Sequence, residues 1–482
     1  MKLFLLGLLI LVCGYFLYGK IIEKIFGPDD REVPAKKNFD GLDYMVLPDW
    51  KNKLIQLLNI AGVGPVIGVI IGIKFGEIVF LLIPIGCILA GAVHDFTAGM
   101  MSLRNEGSNL TGLIKLTTNK KVYALFSVFM IIALLLVVAV FITTPAQLLA
   151  GLLQWKHALI GSVIAIFVYY VLATLFPVDQ IIGRIYPLFG GLLLLGTMLL
   201  FGKLVWTSFS DPAMLVESAG FKAGKFTSPI IPMLFVTIAC GILSGFHATQ
   251  APIVARTMSS ERQARGVFFG MMALEGFIAM VWSAGAMAIY NRAPEWMGKN
   301  ATAVLHKITS DFLGSNLAMV VVISVIILAV TSGDTAMRCL RLSLAEMFKL
   351  NQKPIANRLL ITFPLIVAVS LLLWWSNVDS KSFQMLWNYF AWSNQVMAVF
   401  TFLAGTIYLA SRNKPFAVTA IPGMFITFVV TAYILWISPA HGGPVGFGLE
   451  LPYAYMAAGF TAIVIFVWAV MHGKENPDKF EK

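Results

Sequence analysis

The chain has 482 residues, of which 59% are hydrophobic and 12% charged, against about 25% charged in an ordinary soluble domain. A water-soluble fold of that composition could not cover its surface with polar groups. The 41 glycines are scattered through apolar runs, which excludes low-complexity, collagen-like and disulfide-scaffold architectures. The sequence therefore predicts an all-α polytopic membrane protein, and its net charge of +11 is accounted for by loop asymmetry without a nucleic-acid partner.

In chain order, Lys2 and the apolar run 3–12 resemble the start of a signal peptide, but no small-residue cleavage site follows. Val12 stands where lipoprotein processing at Cys13 would want a small residue. Tyr15 to Lys20 read as an aromatic and cationic interface edge, so the segment is expected to be a retained first helix. A basic loop then runs to residue 53. A membrane span takes about 20 apolar residues, and on that measure roughly thirteen spans follow one another. They cover 3–18, 60–73, 77–100, 122–142, 158–176, 187–206, 229–256, 266–290, 317–340, 359–375, 385–410, 416–437 and 452–471.

Alternating sides along those spans puts 25 of the 35 Lys and Arg residues on one set of loops and 10 on the other. Cytoplasmic loops carry the excess of cations, which places the C-terminus inside and the N-terminus outside. The four cysteines, Cys13, Cys87, Cys240 and Cys339, lie in apolar segments without metal-ligand spacing, and are expected to be free thiols.

The second and seventh spans are unusual in the same way. Asn59-Ile60-Ala61-Gly62-Val63-Gly64-Pro65 opens one, and Cys240-Gly241-Ile242-Leu243-Ser244-Gly245-Phe246-His247-Ala248-Thr249-Gln250-Ala251-Pro252 interrupts the other. Gly and Pro in hydrocarbon release backbone groups that need other partners, which is tolerated where the chain lines a cavity or packs on protein. Packing glycines and a proline kink would explain the pattern. Paired breaks in spans of opposite orientation also mark a five-plus-five inverted repeat of the LeuT-like kind, with a broken first helix in each half. On that reading the chain divides into an N-terminal helix and loop (1–53), two five-helix repeats (54–207 and 229–410) and a two-helix extension (416–482). Gly62, Gly64, Pro65, Gly245, His247, Thr249 and Gln250 then form the expected substrate site at the midplane.

Ionisable residues inside spans are costly and are site candidates by default. His94 and Asp95 suit proton coupling or a structural hydrogen-bonded pair. Glu275 is either a proton carrier or the buried partner of Arg256 or His247. Thr331, Ser332 and Asp334 offer hard oxygen ligands for a sodium ion, although Asp334 and Arg338 are spaced for a salt bridge on one helix face and Ser and Thr also bond back to their own helix. No P-loop, His-Glu-x-x-His, nucleophile elbow or dinucleotide fingerprint occurs, so no enzymatic or ATP-driven activity is expected. No cofactor is expected beyond a coupling proton or sodium ion.

Four blocks carry a family resemblance: Leu58 to Pro65; Ala90-Gly91-Ala92-Val93-His94-Asp95-Phe96 with Ser102-Leu103-Arg104; Ser244 to Pro252; and Thr331 to Arg338. Together with Asp40-Gly41-Leu42-Asp43-Tyr44, they resemble the carbon starvation protein CstA family. The resemblance implies a prokaryotic inner-membrane transporter of the wider amino acid-polyamine-cation superfamily, serving nutrient scavenging under carbon limitation, with peptides or pyruvate as substrates. Secondary uptake by proton- or sodium-coupled alternating access is the leading expectation. A starvation sensor or scaffold and a channel are the alternatives. Lipid and a small-molecule substrate are the expected partners, and the sequence leaves the oligomeric state open.

Overall fold

The computed structural model describes residues 1–40, 44–153, 155–175, 182–352, 354–441, 443–477 and 479–480, without the side chains of 182–189, 346 and 380. Gly41, Leu42 and Asp43 of the early loop block, and Phe176 at the end of the fifth predicted span, lie outside these residues. Among the described residues there are helices and no strands. Eleven helices are long and apolar enough to cross a membrane, and two sharply bent pairs bring the number to 13, as the hydropathy pattern predicts.

The helices are α1 (Lys2–Phe26), α2 (Asp49–Ile60), α3 (Gly64–Phe75), α4 (Val79–Leu103), α5 (Lys120–Leu153), α6 (Ala158–Leu175) and α7 (Gly190–Ser210). They continue with α8 (Ile230–Thr237), α9 (Ala239–Ile242) and α10 (His247–Ala255). The remainder are α11 (Glu261–Arg292), α12 (Ala301–Ala345), α13 (Ile355–Ser376), α14 (Lys381–Ser411), α15 (Ala417–Trp436) and α16 (Leu451–Glu475). Helices α2 and α3 meet at 55°, and the stretch from α9 to α10 leaves α8 at 74°. Between α9 and α10 the chain is extended at Leu243 (φ −171°, ψ 118°).

The apolar pattern underestimates several spans, among them the ninth, which starts at Ala301 and not at residue 317, and the second. The second begins at Asp49 and not at residue 60, because α2 is polar and its polar face is turned into the protein. Asn52 and Gln56 are fully buried and Asn59 nearly so. Asn52 donates to the carbonyls of Leu47 and Thr257, both at 3.2 Å, and accepts from the Thr257 hydroxyl at 2.7 Å. These bonds tie the start of one broken span to the end of the other. Helix α14 runs through the centre, with 89% of its most apolar window buried, whereas α1 and α16 are peripheral at 22% and 28%.

The cation-rich end of the bundle is held by one buried guanidinium. Arg104, just past α4, donates from Nε at 3.1 Å and from Nη2 at 3.0 Å to the carboxylate of Glu261, which opens α11. Its remaining donors reach the Phe26 carbonyl (3.1 Å) and Gly27 carbonyl (2.8 Å) after α1, and the Tyr408 hydroxyl (3.1 Å) of α14. All five N–H groups of the fork are therefore placed, which is the condition under which a buried ion pair offsets its desolvation. Glu261 also accepts from the Asp29 N–H at 3.3 Å, so the chain leaving α1 is fastened to three other helices.

Glu261→Gln keeps the shape but leaves the guanidinium buried without a counter-charge, and is expected to cost about 3 kcal/mol. Tyr408→Phe removes one hydrogen bond from the guanidinium to an uncharged acceptor and should cost about 1.5 kcal/mol. Thermal melting of both variants in one detergent checks the order. Equal losses would mean that the charge pair carries no special weight.

Candidate functional site at the helix breaks

The two interruptions lie against each other. A side chain at Gly64 would place its first carbon 2.0 Å from the Cys240 Cβ, and one at Gly241 would stand 2.9 Å from Val69 and 3.7 Å from the Pro65 Cα. Glycine is thus required at Gly64 by the close approach of α9 to α3. Gly245 sits equally close to α14: its N–H donates to the Asn394 carbonyl at 2.9 Å, and an added Cβ would lie 2.4 Å from that oxygen. Gly62 packs on the Phe141 ring. Among the described residues no backbone hydrogen bond uses the N–H of Val63 or Gly64; both residues are buried, and the start of α3 keeps unmatched donors of the kind that a broken helix offers to an anion.

Beside these breaks four ionisable side chains form a connected set. His94 and Asp95 come from α4, which makes a single π-helical turn over Cys87–Gly91 and brings Gly91 against the Ile242 carbonyl. One turn later, Asp95 faces the first residue of α10. His94 Nδ1 lies 2.8 Å from Asp95 Oδ1, His247 Nδ1 lies 3.2 Å from Asp95 Oδ2, and His247 Nε2 lies 3.7 Å from Glu275 Oε2 of α11. All four residues are buried. An ionised carboxylate only accepts, so Asp95 fixes both imidazoles with their protons on Nδ1. His247 Nε2 and Glu275 then attract each other only when one of them carries a proton. Both Glu275 oxygens and His94 Nε2 have no hydrogen-bond partner among the described residues, which leaves the set with proton positions to fill.

The arrangement decides between the partners considered for Glu275: His247 is its neighbour, while Arg256 donates to the Gly107 carbonyl at 2.9 Å and lies over the Tyr44 ring. Thr249 and Gln250 stay apart from the set. The Thr249 hydroxyl bonds the Phe246 carbonyl, and Gln250 donates to Thr249 at 2.9 Å. On α12, Thr331 bonds back to the Leu328 carbonyl and Ser332 donates to the Leu58 carbonyl of α2 at 3.3 Å. The spacing of Asp334 and Arg338 does not produce a salt bridge. Arg338 donates to the Ala173 carbonyl at 3.0 Å, and Asp334 accepts from the Tyr169 hydroxyl at 3.5 Å. No group of three His, Cys, Asp or Glu residues suited to a metal ion occurs among the described residues.

A cavity of about 820 Å³ opens at the opposite end from Arg104. It is lined by α3 (Ile67, Ile71, Lys74), by Thr144 of α5, by Phe226 and Thr237, and by α14 at Trp387 and Asn388. None of the sequence-predicted substrate residues lines it. Between its floor and the breaks runs a chain of rings: Trp387 to Phe390 (5.5 Å between centroids), Phe390 to Phe141 (6.0 Å) and Phe141 to Phe246 (6.1 Å). Lys74, Trp387 and Phe141 were not singled out by the sequence. Lys74 alone carried a signal, being a single cation at the end of an otherwise apolar run.

The family model described as carbon starvation protein CstA matches residues 1–166, 145–311 and 287–433. The chain belongs to the CstA family. An uncharacterized membrane protein of Haemophilus influenzae is 42% identical over 330 residues, covering 58% of this chain and 89% of that protein. The peptide transporter CstA of Escherichia coli is 28% identical over 351 residues, and the pyruvate/proton symporter BtsT of the same organism 27% over 329 residues. Those matches cover 56% and 55% of this chain, but only 48% and 46% of the two larger relatives. In fold, the CstA-family chain resembles the Eremococcus coleocola manganese transporter (TM-score 0.57, 14% identity, 91% of this chain and 99% of that one). It also resembles a Na+-coupled sialic acid symporter (TM-score 0.54, 12% identity, 96% and 97%). The fold is that of the LeuT-like transporters.

The contact between the breaks is testable in this CstA-family chain. Gly64→Ala is expected to cost about 1–3 kcal/mol by overpacking on Cys240. Gly64→Ala with Cys240→Gly should recover most of that loss in melting temperature, because the colliding Cβ is gone. Failure of the second substitution to restore any stability would place the strain elsewhere.

Proposed function

We propose that the chain is a secondary active transporter that imports short peptides or small carboxylates such as pyruvate by proton-coupled alternating access, with the two broken spans heading two inverted five-helix halves. The observation that carries this reading is the buried set His94, Asp95, His247 and Glu275, drawn from α4, α10 and α11 and lying directly beside both breaks. A substrate carboxylate entering between the breaks meets the free N–H groups of Val63 and Gly64 and the positive end of α3. A proton shared by His247 and Glu275 stabilises the set while the substrate is bound, and its release changes the attraction across α10 and α11. Relatives named as a peptide transporter and as a pyruvate/proton symporter support both the substrate classes and the ion. Counting cations by loop assigns the Arg104 end to the cytoplasm and the large cavity to the outside of a prokaryotic inner membrane. In that orientation the aromatic chain from Trp387 to Phe246 separates the outer cavity from the transport site.

Sodium coupling is the second reading, and it has one observation in its favour: the Ser332 hydroxyl and the Leu58 carbonyl, both hard oxygen ligands, meet at the end of α2. Thr331 donates its hydroxyl proton to the Leu328 carbonyl, a bond that does not use the oxygen lone pairs through which it would join them.

Uptake of labelled pyruvate and of labelled alanyl-alanine into vesicles containing the purified protein separates these readings. With one proton per monoanion, a gradient of about one pH unit should sustain about a tenfold accumulation, since tenfold corresponds to about 1.4 kcal/mol. Asp95→Asn and His247→Gln should keep substrate binding and lose this accumulation. Accumulation driven by sodium alone would move the coupling to Ser332 and Leu58. Accumulation under neither gradient would remove the transporter reading.

A further inference from the structure

The outer cavity has a chemical character of its own. Its lining includes three lysines, Lys74, Lys299 and Lys381, and one aspartate, Asp379. That aspartate is committed, because its carboxylate caps the following helix by accepting from the Ser382 N–H at 2.7 Å. The cavity therefore has an excess of cationic side chains.

Lys74 is the unusual member. It is 8% exposed, and buried lysines ordinarily meet a carboxylate. Its neighbours here are neutral. Nζ donates to the Met297 carbonyl at 2.6 Å and lies 5.4 Å from the Phe226 ring centroid and 5.8 Å from that of Tyr290. The carboxylate on the adjoining loop, Glu217, is held by Lys225 and by the N–H of Glu77, each at 3.0 Å. An ammonium group has three donors, and a single carbonyl engages only one of them.

A second unmet donor belongs to a residue that lines the same cavity. Trp387 is 3% exposed, and its indole N–H has no acceptor among the described residues. Leaving a buried donor unmade costs about 1–3 kcal/mol, a cost that a ligand bearing an acceptor removes. Two donors in an electropositive cavity suit a group that only accepts and carries negative charge. A carboxylate is such a group, and Ile67, Ile71 and Phe383 offer apolar surface for the short side chain attached to it.

We propose that Lys74 and Trp387 form a carboxylate-capture site in the cavity, ahead of the helix breaks, for a small monocarboxylate or the C-terminal carboxylate of a short peptide. The inference rests on the transporter reading for its biological use, and on the cavity alone for the binding it claims. Cations around the mouth raise the local concentration of an anionic substrate. The bound carboxylate stands against Trp387, the first ring of the aromatic floor, so capture and opening of the floor involve the same side chain.

The test uses the full chain in lipid nanodiscs with no gradient, and reads equilibrium binding of labelled pyruvate, alanyl-alanine and the uncharged pyruvamide. Lys74→Met keeps the apolar stem and should weaken binding of at least one of the two carboxylates about tenfold, whereas Lys74→Arg should stay within about threefold of the parent. Trp387→Phe removes the N–H together with part of the ring and should weaken the same ligand about threefold to tenfold, the uncharged pyruvamide reporting the loss of ring contact alone. Pyruvamide should bind all the proteins alike. A response confined to pyruvate assigns the site to monocarboxylates, and one confined to alanyl-alanine assigns it to peptide termini. Carboxylate binding unchanged in Lys74→Met and Trp387→Phe, an equal loss for pyruvamide, or no carboxylate binding to the parent would each overturn the proposal. If Lys74→Met does not fold, Trp387→Phe decides alone. The carboxylate-specific losses in a protein that accumulates nothing in vesicles would leave the capture site standing and remove the transporter reading.

Discussion

An interrupted helix inside a membrane protein leaves peptide groups that lipid cannot satisfy, and the packing of this bundle follows from that constraint. Two interruptions are brought face to face, so that each is enclosed by protein and neither by lipid. The enclosure is paid for in side-chain volume at Gly64, Gly91, Gly241 and Gly245, where backbone or first side-chain carbons of a neighbouring helix occupy the space that a side chain would take. Close approach then has a chemical consequence. Gly91 lets α4 reach the Ile242 carbonyl, and the residue one turn further on is the carboxylate that holds both imidazoles.

The apolar runs were readable because hydrocarbon imposes a length and a composition on every span, and 13 spans emerge both from the sequence and from the helices when each bent pair is one span. The positions of the two breaks were readable for the same reason, since Gly and Pro clusters in such runs have few other uses. The first half of the second span was not. Asn52, Gln56 and Asn59 make α2 look like a loop, and only folding turns that polarity inward, where Asn52 meets Thr257. Each member of the buried ionisable set stood out individually as a charge inside a span. The pairs His94–Asp95 and His247–Glu275 stood among the alternatives, but the Asp95–His247 contact that joins them could not be seen, because it links helices distant in sequence with no periodicity to report it. The same limit hid Trp387, whose missing acceptor is a property of its surroundings.

The ionisable set and the large cavity occupy different levels of the molecule and answer different chemical demands. The set is enclosed, carboxylate-rich and suited to exchanging a proton among fixed positions. The cavity is open, lysine-bearing and suited to a negatively charged guest. Four aromatic rings from three segments of the chain fill the space between them. Keeping the two apart prevents the lysines from neutralising the carboxylates on which the enclosed set depends.

The guanidinium knot at Arg104 has a consequence for how the protein is made. Its partners come from Phe26, Glu261 and Tyr408, so the knot that joins them cannot be complete until Tyr408 has been synthesised. Until Glu261 emerges, Arg104 can meet the Phe26 and Gly27 carbonyls at the end of α1, but not the carboxylate that takes two of its donors. The knot therefore tightens in stages as the chain grows, the backbone contacts first and the charge pair later. A protein cut between Arg104 and Glu261 would have to form that charge pair by association of the two pieces.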